Sequence, residues 1–545
     1  MSTLRLARLV LLLTGTIALG QPTYTVLYNF GSKTGDPLFP DPAGIIAQGR
    51  DGNLYSTTPN GGAGGGYGNG TVFRITPSGT LSVINQLQSR SDSGLTLATD
   101  GNFYGAGDGG IFKITRNGNL TLLFSMLFNG FNYFSSPPIQ ASDGNFYGTA
   151  QCAPPGDFVY KITTSSSALI VLHILTAAEG VCINPLVQGS DGNLYGTAIH
   201  GGTGYSGTIF KISPSGKFTL LFTFPQTTGL ILSPDGNLPN GPLVWGSDGN
   251  LYGTTEYGGT GNCFNGTGCG VVFKITPSGS FTVLHSFTNS DGNGVLPQTG
   301  LVQATDGNLY GTTSAVTSSF GCGTIFRISL TGTFHHVYTL PHDKSLGCTP
   351  LVPLVQHTNG LIYGDTIVGG TGTPSGGVFF KLNANLPPFV SLLPYSGKVG
   401  KTIEFLGQGF TSTSRVSFSG AATTPTLVSS TGTYLTATVP NGATTGFVTV
   451  TTSGGALKSN KIFRVTPQIT GFTPTSGLVG ASVTITGVSL KQTTKVTFSG
   501  VKAASFTVDS DTRVTATVPS DAVTGSIAIT TAGGTATSSG TFTVD

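Results

Sequence analysis

Asp248-Gly249-Asn250-Leu251-Tyr252-Gly253, followed by Val271-Val272-Phe273-Lys274-Ile275-Thr276-Pro277-Ser278-Gly279 and Phe281-Thr282-Val283-Leu284-His285-Ser286-Phe287, decides the fold. With Pro242-Leu243-Val244-Trp245 before it, the stretch holds four short β-type runs separated by turn residues. The pattern recurs. Asp-Gly-Asn, then Leu or Phe, then Tyr starts at Asp51, Asp100, Asp143, Asp191, Asp248 and Asp306, with a degenerate copy at Asn359-Gly360-Leu361-Ile362-Tyr363. A string of the Val-Phe-Lys-Ile type follows each copy, from Val72 in the first to Phe379 in the seventh. Four strands per repeat of roughly 50 residues is the blade period of a β-propeller, and seven copies predict seven blades.

The turns set which face is which. Asp-Gly predicts a two-residue hairpin with positive φ at both central residues, and Thr276-Pro277-Ser278-Gly279 predicts a second tight turn. In an up-down-up-down blade both lie on one face. The longer connections, second strand to third and fourth strand to the next blade, lie on the other. The seventh unit stops at Leu382 without a fourth strand, while Tyr24-Thr25-Val26-Leu27-Tyr28-Asn29-Phe30 matches the fourth-strand pattern and has no blade of its own. The N-terminal strand is therefore expected to complete blade seven and close the ring, which removes open sheet edges.

Composition excludes other classes. The 545 residues include 83 Gly and 30 Pro, which disfavour helices, and only 9% charged residues beside 38% hydrophobic ones, which excludes coiled coil and disorder. A net charge of +3 with no dense basic run gives no sign of a nucleic-acid partner. Residues 1–20, with Arg5 and Arg8 before an apolar run from Leu9 and the small-residue end Ala18-Leu19-Gly20, predict a cleaved secretory signal. That run is too short to span a bilayer and no second one follows, so no membrane span is expected. Export makes disulfides the expected use of the six cysteines: Cys152 with Cys182, Cys263 with Cys269, and Cys322 with Cys348, each pair lying in connections of one face. The cysteines have no CxxC pair, so no metal site is expected, and no cofactor motif is present.

After a linker the chain repeats again. Pro394-Tyr395-Ser396-Gly397-Lys398-Val399-Gly400 recurs as Pro474-Thr475-Ser476-Gly477-Leu478-Val479-Gly480, and Val416-Ser417-Phe418-Ser419-Gly420 as Val496-Thr497-Phe498-Ser499-Gly500. Alternating strands at this spacing predict two small β-sandwiches. These residues, with Gly407 to Phe410, resemble the IPT/TIG immunoglobulin-like family, with Leu490 standing in the second copy where the aromatic belongs. The front of the chain, through its Asp-Gly-Asn-Leu-Tyr-Gly-Thr and Gly-Thr-Val-Phe-Lys-Ile strings, resembles the GloVer tandem-repeat family of exported bacterial proteins, a resemblance that implies no established activity. The expected order is signal 1–20, propeller 21–386, and IPT/TIG-like domains 387–466 and 467–545.

The candidate chemistry is sparse. One Asp per turn suits hairpin formation better than calcium, which needs several close acidic ligands. Arg74, Lys113, Lys161, Lys211, Lys274, Arg327 and Lys381 each follow a buried-type aromatic, so apolar stems with rim charges are expected rather than an anion-binding ring. His173, His285, His335 and His336 fall on fourth strands, and His200, His342 and His357 nearer the connections. No nucleophile elbow, HExxH or phosphate loop appears. Tyr67, Tyr205 and Tyr257, carried on Gly-rich connections, suit contact with a sugar ring or extended polymer. The leading expectation is an exported, non-enzymatic binding or adhesion protein with a carbohydrate or cell-surface polymer as ligand. The alternative is a secreted carbohydrate-active lyase or hydrolase using the same face.

Overall fold

The computed structural model describes residues 21–40, 44–63, 69–91, 93–125, 134, 136–150, 156–164, 168–225, 233–263, 266–290, 292–317, 321–372 and 375–545. The expected signal, Tyr67 and Cys152 lie outside them, and with Cys152 the proposed bond to Cys182. All described secondary structure is β.

Seven antiparallel sheets occupy the front of the chain, six with their strands in chain order, one of these with an added strand Val181–Ile183, and the seventh ending on the N-terminal strand. In the sheet of the quoted stretch the strands are Val244–Trp245, Leu251–Thr255, Val271–Ile275 and Phe281–Ser286. The first strand is shorter than the Pro242–Trp245 run suggested. The second is buried throughout and the third all but its Lys, because both are covered by neighbouring sheets. Gly253 shows why Tyr-Gly recurs beside Phe: a Cβ there would stand 2.5 Å from the Phe273 ring. Each fully buried aromatic of this kind contributes about 2–3 kcal/mol.

The sheets close on themselves. Seven apolar clusters each draw on two successive sheets, and one of them joins the ends, packing Leu54, Phe73 and Ile75 against Tyr363 and Phe379 around Phe30. The N-terminal strand Thr23–Asn29 pairs antiparallel with Val378–Asn383, Thr23 opposite Asn383 and Asn29 opposite Val378. The missing fourth strand of the last unit is thus supplied from the far terminus.

The Asp-Gly turns differ from the two-residue reading. Gly49 N–H donates to Asn53 O, Gly52 N–H donates to Gly49 O, and only the Gly of the pair has positive φ, 77° at Gly52. This is a type I turn closed by one left-handed glycine. The Asp keeps ordinary φ because its carboxylate is the organiser: Asp51 Oδ1 accepts from Asn53 N–H, and Oδ2 accepts from the Asn53 amide at 2.7 Å and the Tyr55 hydroxyl at 2.9 Å. The same triad repeats through Asp306 and Tyr310. These oxygens are committed to the hairpin.

A second set of bonds stitches sheets together. Oε1 of Gln48, Gln140, Gln188, Gln303 and Gln356, each ending a first strand, accepts from a turn N–H of the preceding sheet at 2.8–3.0 Å. Leu97 and Trp245 take this place at the other two junctions.

Two sandwiches follow, each around its own core, the first of two four-stranded sheets with a parallel two-stranded pair and the second of a four- and a five-stranded sheet. Leu490 is fully buried in the second where Phe410 is buried in the first. The departure from the aromatic is therefore a substitution within one apolar socket.

Candidate functional site

The tight-turn face is occupied by the first sandwich. Arg50, ahead of the first Asp-Gly turn, donates from Nε to Glu404 Oε2 at 3.0 Å and from Nη2 to Glu404 Oε1 at 2.6 Å, while its guanidinium stacks over Tyr434 at 4.8 Å. Thr433 Oγ1 donates to Arg50 O, and Gln408 Nε2 and Phe389 N–H donate to the hydroxyl and carbonyl of Thr358 in the seventh turn. Arg464 lies within electrostatic reach of Asp191 in the fourth turn. Residues 387–466 hold six basic side chains and the single acid Glu404, and it is that acid which pairs with Arg50 of the turn. Burial raises the Glu404 carboxyl and the Arg50 charge counters it.

His357 sits at this seam. Nδ1 accepts from Asn359 N–H at 3.1 Å, so the proton is on Nε2, which donates to Gly52 O at 2.9 Å. Burial holds its pKa below the ordinary histidine value. It replaces the Gly or Ala of the other turns and ties the seventh sheet to the first, a role that its position in sequence did not reveal.

The opposite face carries the long connections. Tyr205 is 60% exposed and stacks on His200 with centroids 5.2 Å apart and planes 15° apart. Its φ of 57° is tolerated between glycines of the loop. Tyr257 is half-buried beside Glu256, and burial together with that carboxylate pushes its hydroxyl up to about 12. Glu256 accepts from Gln298 Nε2 at 2.6 Å and Asn240 Nδ2 at 3.3 Å. With Tyr195 aligned to Tyr252, Tyr257 occupies the place of His200 in its unit, so the structure aligns it with His200 rather than with Tyr205. The amides around Glu256 were missed in sequence because Asn240 and Gln298 belong to connections before neighbouring sheets.

The seven basic residues lie directly across from the turn tyrosines, as Lys161 from Tyr147 and Arg327 from Tyr310. Lys161 Nζ lies 5.5 Å from the Tyr147 ring and 3.8 Å from Asp143, so this cation serves the hairpin triad of its unit, while Lys211 Nζ donates to Pro277 O at 3.4 Å. His173, His285, His335 and His336 are on outer strands. Cys263–Cys269 and Cys322–Cys348 are bonded. Among the described residues no three His, Cys, Asp or Glu side chains group as a metal site, and no helix is long and apolar enough to cross a membrane.

The Gloeobacter/Verrucomicrobia repeat pattern matches residues 106–294 and 264–416, and the IPT/TIG domain pattern matches 387–463 and 467–544. No curated protein matches the chain. Similar solved structures include a fungal alcohol oxidase of the AA5 family in complex with copper, at 14% identity over 80% of this chain and 100% of that one, TM-score 0.41. The WD40 β-propeller domain of Doa1 is 12% identical over 66% of this chain and 97% of that one, TM-score 0.41. XC5397 from Xanthomonas campestris, a gluconolactonase, is 12% identical over 67% and 90%, TM-score 0.34.

Proposed function

Because the chain belongs to the Gloeobacter/Verrucomicrobia repeat family and carries two IPT/TIG domains, we propose that it is an exported, non-enzymatic binding or adhesion protein that recognises a carbohydrate or extended polymer on its long-connection face. The observation that carries this reading is Tyr205, 60% exposed and braced by His200 on the face opposite the first sandwich. An aromatic ring held in place offers area for sugar CH groups at low entropic cost. Partners of Glu256 are amides and a phenol, a neutral surrounding that supports binding over the lyase or hydrolase alternative.

A glycan array probed with the mature protein, beside an assay for product release, tests the reading. Tyr205→Ala should weaken a captured glycan by about 1 kcal/mol, and Tyr67→Ala and Tyr257→Ala should add to the loss. Release of product, or capture that survives the triple replacement and is abolished by changes in the Asp-Gly-Asn turns, overturns it.

A further inference from the structure

At the junction between the two sandwiches the first contributes Thr445 and Val465. Thr445 N–H donates to Gln492 Oε1 at 2.8 Å, and Gln492 Nε2 donates back to Thr445 O at 3.2 Å. Gly533 of the second sandwich presses on the same place, where a Cβ would come within 1.8 Å of Val465 O. Thr445 is itself fixed by its hydroxyl, which accepts from Val465 N–H at 3.0 Å, while Val465 pairs in parallel with Gly397.

The second sandwich builds the same socket. Thr524 Oγ1 accepts from Val544 N–H at 3.0 Å, and Val544 pairs in parallel with Gly477. Here the main-chain N–H and C=O of Thr524 meet no partner among the described residues. Around them stand Leu478, Val479 and Val523, exposed by 66%, 51% and 58%, the first and last replacing Lys398 and Thr444 of the first sandwich. At the inner junction the covalent link supplies proximity, and polar neighbours suffice. Exchange of Lys and Thr for Leu and Val adds the apolar area that association between chains requires.

We propose that this end of the second sandwich is a docking socket for an immunoglobulin-like module of another chain, one that presents a glutamine on a turn beside a glycine, as Gln492 and Gly533 do. The occupant reproduces the inner junction: the amide bridges Thr524 N–H and C=O, and the glycine lets the backbones close over Leu478, Val479 and Val523. A second copy of the full chain does not fit. Its own Gln492 is engaged by Thr445, and its first sandwich has Ser412 at the matching turn.

The fragment 467–545, which encloses its own core of twelve buried side chains, serves as probe because removing the first sandwich frees its Gln492 turn. It should associate with itself head to tail in sedimentation analysis and should bind the full chain, one to one when the fragment carries Leu478→Asp with Val523→Asp. Gln492→Ala in the fragment, or Leu478→Asp with Val523→Asp in the full chain, should weaken their contact tenfold or more, while the Asp pair in the fragment should leave its binding to the full chain unchanged. Mixing the Gln492→Ala fragment with the Leu478→Asp/Val523→Asp fragment should restore a dimer and nothing larger. Circular dichroism and the melting temperature check that each variant is folded. The proposal is overturned if the folded fragment stays monomeric and fails to bind the full chain up to about 1 mM, if the Asp pair placed in the full chain leaves binding of the fragment unchanged, or if the full chain associates with itself as strongly as the fragment does.

Discussion

Arg50 in the first repeat and Glu404 in the first sandwich, 354 residues apart, form a two-armed ion pair with side-chain exposures of only 28% and 13%. The pair fixes the sandwich over the turns of the first and seventh sheets, beside the seam where the ring closes. It also leaves the long-connection face as the open one.

Removing one partner should loosen this seat. Arg50→Ala would leave a largely buried carboxylate unpaired and should cost about 2 kcal/mol, less than a fully buried pair. Arg50→Ala with Glu404→Gln should recover part of the loss. A double-mutant cycle on melting, with limited proteolysis around residues 383–388, checks it; equal proteolysis of parent and Arg50→Ala would show that the pair does not hold the domain.

Closure of the ring predicts a large effect of a small deletion. Loss of residues 21–30 exposes the edge of Val378–Asn383 and removes the fully buried Phe30. The expected cost exceeds the roughly 3–5 kcal/mol of a Phe→Ala change alone, with aggregation through the freed edge. An unchanged melting curve would contradict the pairing.

Non-reducing peptide mapping should find Cys263 linked to Cys269 and Cys322 to Cys348. The separations of 26 and 6 residues predict that opening Cys322–Cys348 costs about 3 kcal/mol and opening Cys263–Cys269 about 2. Whether Cys152 joins Cys182 is read from the same map.

His357 gives a pH signature. Its folded pKa is depressed, so the unfolded chain takes up a proton that the folded chain refuses. Stability is therefore full above the unfolded value of about 6.5 and falls as pH drops below it. Melting temperature should decline from pH 7 to 5, and less steeply in His357→Gln. His336, also depressed by burial, contributes in the same sense, so His336→Gln is the comparison. Parallel slopes for parent and His357→Gln would refute the assignment.

The sequence by itself determined what short-range chemistry dictates. Four strands per repeat, the turns at Asp-Gly-Asn, the matching of Tyr24–Phe30 to a fourth strand and the pairing of Cys263 with Cys269 all follow from alternation, turn residues and spacing. Even there the turn type was misjudged at Asp51, because the sequence shows the Gly but not the carboxylate bonds that let Asp keep ordinary φ. Only the tertiary structure decided where the first sandwich sits, which glutamines bridge the sheets, why His357 stands where other units have Gly or Ala, and that Thr524 repeats the socket of Thr445. Each of these depends on groups brought together from distant parts of the chain. Gln48 meets Thr358 and Arg50 meets Glu404 only once the ring has closed, and no local pattern of residues records that meeting.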